Sequence, residues 1–330
     1  MNNQTVFRPN ALYYPYINVP ENDWFIRVLL YWDNVCSIVP MDYSYNRSKL
    51  KPFMIELLDA ELVKPVLPLH YVNRIDNFIE NFIIHSEKFL EKKHSDNIEY
   101  TPTHFTKIHI EKLGHLGNEL CKMGLAQESN YPWYLVESSL ANDFMLYLAS
   151  LLSELPQINS RPITDSINEL PGNNFNRHRL ILDEVLPSPG SIKSVEELKG
   201  FKNKNSESLR RFRSYIESNI SNISLIKNSE ERNDFLNDFK KQVKEDINTI
   251  VGRMNEHGWH KINKDRLISY SLIAGGISSA VISGNPMDLI LSGIGVLNEI
   301  RTRRNETEIY SESGNYYVTY AALAQRKFGK

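Results

Sequence analysis

The chain has 330 residues, of which 38 are Lys or Arg and 40 are Asp or Glu, so the formal net charge is −2 at pH 7. This length is enough for two domains, and the near balance of charge gives no general attraction to nucleic acid. The two cysteines, Cys36 and Cys121, exclude a disulfide-rich scaffold. Because the N-terminal residues lack a basic segment followed by an apolar one, we expect a cytoplasmic protein without a secretory signal.

Short apolar segments alternate with helical patterns near the N-terminus. β-prone residues at 11–17 precede a helical pattern at 24–35, and the apolar segments 35–40 and 62–68 flank a second helical pattern at 51–61. This alternation predicts parallel strands that are joined by crossover helices.

The pattern continues as far as a cluster of proline and glycine at 187–190. In chain order we predict a helix at 73–92, a strand at 107–111, a helix at 113–123, a strand at 133–136, a helix at 141–152, turns at 157–177 and a last strand at 180–186. The Pro/Gly cluster predicts a domain boundary, with an α/β domain at 1–188 and a helical domain at 189–330.

The second domain has the sequence features of long helices. Ser194-Val-Glu-Glu197 is a capping box, and a further helix is expected at about 315–327. Two apolar stripes with helical spacing predict two long helices over about 194–258, separated by a turn at 228–231. The stripes are Leu209, Phe212, Ile216, Ile220 and Ile223, then Phe235, Phe239, Val243, Ile247, Ile250 and Met254. The fold class expected is therefore α/β plus all-α, with a mostly parallel sheet followed by a helical domain.

The segment 267–297 has one formal charge, Asp288, and many small residues. Its small residues at four-residue spacing suit close helix packing, and they are the pairs Gly275 with Ser279 and Ala280 with Gly284. Three interpretations remain open, namely a helical hairpin buried in its own domain, a subunit or partner interface, and conditional insertion into a membrane. The arm at 289–297 reaches only about half of a ~30 Å hydrocarbon core, which disfavours a hairpin that spans the bilayer twice.

A family resemblance is spread over most of the chain. It is carried by Ala11-Leu-Tyr-Tyr-Pro-Tyr-Ile17, Leu29-Leu-Tyr-Trp-Asp-Asn-Val35, Ile38-Val-Pro40, Val63-Lys-Pro-Val66, Ile110-Glu-Lys-Leu113, Gly124-Leu-Ala126, Met145-Leu-Tyr-Leu-Ala149, Pro162-Ile-Thr-Asp165, Leu186-Pro187, Phe201 and Phe212-Arg213. In these segments the chain resembles the uncharacterised bacterial domain-of-unknown-function 6236 family. The resemblance implies a bacterial, intracellular origin and suggests a stress or phage-defence setting. Because that family has no established activity, the resemblance assigns no catalytic residue.

The best candidates for chemistry are polar residues near predicted strand ends. His109 and Glu111, with Lys112 beside them, alternate along a predicted strand, so the first two fall on one side as an acid/base or metal-binding pair. Asp42 and Asp183 follow or end other predicted strands and are expected at the carboxyl edge of the sheet. The alternative is that these residues only form local hydrogen bonds. No zinc spacing and no nucleotide-binding motif is present, so we predict no metal and no cofactor.

Arg210 and Arg213 share one helix face and are candidate phosphate or nucleic-acid contacts, although a solvated surface balanced by glutamates is the favoured interpretation. We predict an intracellular interaction or effector protein that self-associates or binds a protein partner through its helical domain. Two alternatives are an enzyme with a polar site at the sheet edge and an effector that inserts into membranes through 267–297.

Overall fold

The computed structural model describes residues 8–94, 101–165, 181–187, 194–256 and 316–329. The chain forms two compact units, one made of 1–179 with 192–204 and the other of 180–191 with 205–330. The predicted boundary at 188 falls outside the described residues and stays a prediction.

Within the described residues, the strands all belong to the first unit. They are β1 (Asn10–Tyr13), β2 (Asn34–Ile38), β3 (Val63–Val66), β4 (Phe105–His109), β5 (Ala126–Glu128), β6 (Trp133–Glu137) and β7 (Ser160–Ile163). Strands β3, β2, β1 and β7 lie in that order in one sheet, and every pairing is parallel. Strands β4, β6 and β5 form a separate antiparallel sheet. The predicted parallel sheet with crossover helices is confirmed.

Helices of the first unit cover both sheets. They are α1 (Asp23–Tyr31), α2 (Met41–Tyr45), α3 (Pro52–Asp59), α4 (Phe78–His94), α5 (Ile110–Leu113), α6 (Leu116–Lys122) and α7 (Ser138–Glu154). The second unit contains a short helix α8 at 181–185, and α9 (Val195–Lys204) returns to the first unit. The remaining helices, in the second unit, are α10 (Ser206–Leu225), α11 (Ser229–Glu256) and α12 (Thr319–Phe328).

Local sequence signals explain several helix ends. Asn22 begins α1, because its side-chain oxygen accepts a hydrogen bond from the backbone N–H of Phe25 at 2.9 Å. Ser194 begins α9 in the same way, since its hydroxyl accepts from the N–H of Glu197 at 3.1 Å. The capping box predicted there therefore supplies its N-cap hydrogen bond.

Two sequence predictions about strands are wrong. Residues 180–186 were expected to form the last strand, but 181–185 are helical. Ile181, Leu182, Val185 and Leu186 are buried while Asp183 and Glu184 are exposed, and this spacing is that of a helix. In addition, β7 lies within the stretch 157–177, which was predicted to be rich in turns and was assigned no strand. Pro162 is tolerated in this strand because β7 is at the edge of the sheet.

The helices of the second unit bury the predicted apolar stripe of α10. Leu209, Phe212, Ile216, Ile220 and Ile223 are each at most 5% exposed. The stripe of α11 is buried at Val243, Ile247 and Ile250, whereas Phe235 is 53% exposed. Helices α10 and α11 both contact α12.

Within the described residues, no helix combines the length and the apolar composition that crossing a bilayer requires. The predicted hairpin residues Gly275, Ser279, Ala280 and Gly284 lie outside the described residues. The interpretations of that segment therefore stay predictions.

Candidate functional site

A cavity of about 800 Å³ opens at the carboxyl edge of the parallel sheet. Its wall includes Tyr13 at the end of β1, Tyr43 in the connection after β2, and Asp165 just after β7. Strand β4, helix α5, Trp133 of β6 and helix α7 complete the wall. Carboxyl edges of parallel sheets are where α/β proteins usually bind ligands, so this cavity is the candidate site of the first unit.

The lining combines positive charge with aromatic rings. Its lysines are Lys49, Lys51, Lys107 and Lys112, its large aromatic residues are Tyr13, Tyr16, Tyr43 and Trp133, and its carboxylate is Asp165. Lys51 and Lys107 are exposed, and against the single aspartate they give the wall an excess of positive charge that favours an anion. The rings offer flat apolar surface to the uncharged part of such a molecule.

Asp42 and His109 meet next to this wall. The Oδ1 atom of Asp42 lies 3.4 Å from Nε2 of His109, and its Oδ2 atom accepts a hydrogen bond from Nζ of Lys49 at 2.7 Å. This hydrogen bond raises the pKa of Lys49. His109 is 2% exposed, and its ring makes edge contacts with the rings of Tyr43 and Trp133. The structure therefore brings together two of the candidate residues, Asp42 and His109, which the sequence had not paired.

Glu111 joins the same cluster by a route that the sequence did not show. Strand β4 ends at His109, so Glu111 lies on helix α5 and the predicted alternation along one strand is wrong. The N–H of Glu111 donates to Nδ1 of His109 at 3.2 Å, and its Oε2 accepts from the N–H of Met41 at 2.7 Å. Glu111 thus ties the start of α2 to the end of β4.

The hydrogen bond that Nδ1 of His109 accepts determines which nitrogen of the neutral ring carries the proton. Because Nδ1 accepts from a backbone N–H, the neutral ring carries its proton on Nε2, the nitrogen that faces Asp42. Burial lowers the pKa of His109, and the neighbouring carboxylates of Asp42 and Glu111 oppose that effect. Nδ1 is engaged by the N–H of Glu111 and is therefore not free to serve as a general base.

The same three residues are also of the types that bind metal ions. Donor atoms of Asp42, His109 and Glu111 lie within 4.8 Å of one another. A cation on Nε2 would require the ring to give up its Nε2 proton or its bond from the Glu111 N–H, while Asp42 already holds Lys49 and Glu111 already accepts from Met41. The hydrogen bonds that join α2 to β4 are those of Glu111, whereas Oδ1 of Asp42 and Nε2 of His109 are buried without a hydrogen-bond partner among the described residues.

Lys112 is a buried lysine that lines the cavity. It is 4% exposed, and its Nζ donates one hydrogen bond, to the carbonyl oxygen of Pro15 at 3.1 Å. An ammonium has three donors, and no carboxylate pairs with Lys112 among the described residues. Burial lowers its pKa to about 7, so a large share of this amine is uncharged at neutral pH.

On another part of the wall, the hydroxyl of Tyr13 donates to Oδ1 of Asp165 at 3.1 Å. Burial, together with the Asp165 carboxylate, raises the pKa of Tyr13, so the phenol stays protonated. This pair places a carboxylate on the otherwise cationic wall.

The other predicted site residues lie elsewhere. Asp183 is an exposed residue of α8 in the second unit, so its expected place at a strand end is wrong. Arg210 is exposed and pairs with Glu207 at 2.9 Å, whereas Arg213 is 3% exposed. These two arginines therefore do not present a shared cationic stripe to solvent.

Sequence reasoning placed Lys112 beside His109 and Glu111 but could not show its burial. Its partner Pro15 is 97 residues away in the chain, in the loop after β1. The one local signal is the position of Lys112 between Glu111 and the buried Leu113, at the start of a helix that closes the end of β4.

Comparisons of the chain with protein-family models, curated proteins and solved structures give no match. The resemblance to the domain-of-unknown-function 6236 family therefore stays a prediction, and the residues of the cavity carry the functional argument.

Proposed function

We propose that the first unit binds a small organic anion in the cavity at the carboxyl edge of its parallel sheet. The observation that supports this proposal is the wall itself, which combines four lysines with aromatic rings around about 800 Å³. A volume of this size suits a compact organic molecule. Lys51 and Lys107 are exposed and hold the anion. The charge of Lys49 is partly neutralised by its hydrogen bond to Asp42.

The charge of the ligand is tested with three probes of one shape. Benzoate, benzyl alcohol and benzylamine differ in charge but share a ring, and their binding is measured by calorimetry on the full chain. We expect benzoate to bind, and benzyl alcohol and benzylamine to bind at least tenfold more weakly. Equal binding of benzylamine and benzoate would contradict the proposal.

Charge reversal at the wall gives a second measurement. Lys51→Glu and Lys107→Glu should each weaken benzoate binding several-fold, because each places a carboxylate where the anion needs a cation. Lys88→Glu is the matched control, since Lys88 is exposed on α4 of the same unit and does not line the cavity. If all three variants change benzoate binding equally, the effect is general charge and not this wall.

An interaction or effector role for the helical domain stays a prediction, as do a cytoplasmic location and a phage-defence setting. This role depends most on 267–297, which lie outside the described residues. It is compatible with a ligand-binding first unit, because a bound anion is a natural signal for an effector. Light scattering of the full chain, with and without anionic lipid vesicles, separates self-association from membrane binding.

A further inference from the structure

Lys112 is a lysine that the cluster of Asp42, His109 and Glu111 does not use. Those residues hold one another and the start of α2, and none of their hydrogen bonds includes Nζ of Lys112. The amine instead lies on the cavity wall with one backbone acceptor. A purely structural lysine would gain more from a carboxylate or from water, because a buried ammonium with unmet donors is costly.

We propose that Lys112 is a nucleophile that forms an imine with a carbonyl compound carrying an acid group. The inference rests on the proposed function, because the lysines of the wall bind the acid group of this compound. Its carbonyl carbon is then presented to Nζ of Lys112, and its apolar part lies against the aromatic rings.

The chemistry balances without an oxidant or a reductant. The lone pair of Nζ attacks the carbonyl carbon and forms a C–N bond, and the C–O bond then breaks. The two hydrogens of the neutral amine leave with the carbonyl oxygen as water. Lysines that are desolvated in an apolar pocket are activated for this reaction, because the uncharged amine is the attacking form.

Three features of the wall suit this step. The pKa of Lys112, about 7, leaves free amine at neutral pH. The Pro15 carbonyl holds Nζ in one place at 3.1 Å, which limits the orientations of the amine. The hydroxyl of Tyr13 is already committed to Asp165 at 3.1 Å, so Lys112 is the neutral nucleophile of the wall.

The test is reductive trapping on the full chain. Pyruvate, phenylpyruvate and 4-carboxybenzaldehyde are each incubated with the protein at pH 7.5 and reduced with borodeuteride, and the modified lysine is located by peptide mass spectrometry. A trapped imine adds the mass of the probe less one oxygen atom, with one deuterium in place of hydrogen. We expect modification of Lys112 at least tenfold above that of any other lysine.

Two variants of equal size change serve as a pair. Lys112→Met should abolish trapping at the cavity, whereas Lys88→Met removes an exposed lysine of α4 that does not line the cavity and should leave Lys112 reactive. The mapping of the unsubstituted protein identifies the reacting lysine by itself, so the result does not depend on how well Lys112→Met folds.

Binding of the matched alcohols separates the two proposals. Lactate, phenyllactate and 4-(hydroxymethyl)benzoate keep the acid group but have a hydroxyl in place of the ketone or aldehyde carbonyl. If the carbonyl probes and their matched alcohols bind with equal affinity and no probe is trapped, the imine proposal is overturned while the anion-binding proposal stands. If neither set binds, both proposals fail. Equal modification of Lys51, Lys107 and Lys112 shows unselective surface reaction and also overturns the imine.

Discussion

At the scale of single residues, the buried amine of Lys112 links the stability of the fold to pH. The pKa of Lys112 is about 7 in the folded chain, against 10.5 for an exposed lysine. The unfolded chain therefore binds more protons between those two values, and the stability of the folded state rises as the pH increases through that window. Below pH 7 the buried amine is charged, and its burial then lowers the stability of the folded state by up to about 5 kcal/mol, the free energy that corresponds to this pKa difference.

Lys112→Met removes the group that titrates. We expect this variant to be more stable than the unsubstituted protein at pH 7 by a few kcal/mol, and to lose most of that advantage by pH 10. Urea unfolding at pH 7, 8.5 and 10 measures the difference. Lys107→Met, at an exposed position, should show no such trend. Parallel pH curves for Lys112→Met and the unsubstituted protein would mean that Lys112 is not desolvated.

Glu111 has a second residue-scale effect, through the backbone of α2. Glu111→Ala removes the acceptor for the N–H of Met41 at 2.7 Å, so we expect a loss of about 1 kcal/mol in the free energy of unfolding. Glu111→Gln keeps an oxygen acceptor and should lose less. The control is Glu119→Ala, which breaks only an exposed pair with Lys122 and should change stability by less than about 0.5 kcal/mol. Chemical denaturation at pH 7 compares the three.

At the scale of elements, α6 packs against β6 with no room at Gly117. A Cβ atom there would lie 2.8 Å from two ring carbons of Tyr134, whose hydroxyl donates to Asn118 at 2.7 Å. Gly117→Ala should therefore destabilise the protein by about 1–3 kcal/mol despite the better helix propensity of alanine. Thermal unfolding measures the effect.

Gly200 provides the matched control for this contact. It also lies in a helix, α9, but a Cβ atom there meets nothing within 4 Å. Gly200→Ala should be neutral or stabilise by up to about 1 kcal/mol. Adding Tyr134→Leu to Gly117→Ala should cost less than the sum of the two single changes, because the smaller side chain vacates the contested space. Strict additivity would show that the ring is not the obstacle.

The elements that sequence predicted well are those whose pattern is set by burial along one face. Strands β2 and β3 are apolar runs that proline follows or interrupts, and the apolar stripe of α10 has strict helical spacing. The prediction failed at 180–186, where two adjacent apolar pairs suit either a strand or a helix. It also missed β7, because Pro162 and the surrounding turn residues hide an edge strand.

The site shows the same division. Asp42 was expected just after one strand and His109 within another, and the sequence grouped them as candidate site residues without pairing them. The structure places Oδ1 of Asp42 3.4 Å from Nε2 of His109. The desolvation of Lys112 depends on Pro15, a contact across 97 residues that no local pattern encodes. Sequence therefore predicted where polar groups gather but not which of them loses contact with water.

At the scale of the whole molecule, α9 belongs to the first unit although 180–191 before it belong to the second. Lys202 of α9 is 6% exposed, and its Nζ donates to the carbonyl oxygens of Trp32 at 2.6 Å and Asp33 at 3.1 Å. These bonds hold α9 against the end of α1. Lys202 thus joins two segments that are about 170 residues apart in the sequence.

Lys202→Ala should lower the free energy of unfolding of the first unit by about 2 kcal/mol, because the buried carbonyl of Trp32 and the part-buried carbonyl of Asp33 lose a charged donor. Lys199→Ala is the control on the same helix, since its pair with Glu61 is exposed and 3.6 Å long, and it should cost less than about 0.5 kcal/mol. Hydrogen exchange of the amides in β1 and β2 reports the change. Equal effects of both variants would mean that α9 does not stabilise the sheet unit.

The position of α9 also sets the order of events during synthesis. The last strand of the parallel sheet is complete at Ile163, but the first unit does not gain α9 until Lys204 has been made. At ordinary translation rates those 41 residues take about 2–8 s. During that interval the nascent sheet exposes the end of α1 that α9 later covers. A ribosome that pauses within this stretch would prolong the exposure of that end of α1, and exposed surface of this kind favours aggregation and chaperone binding.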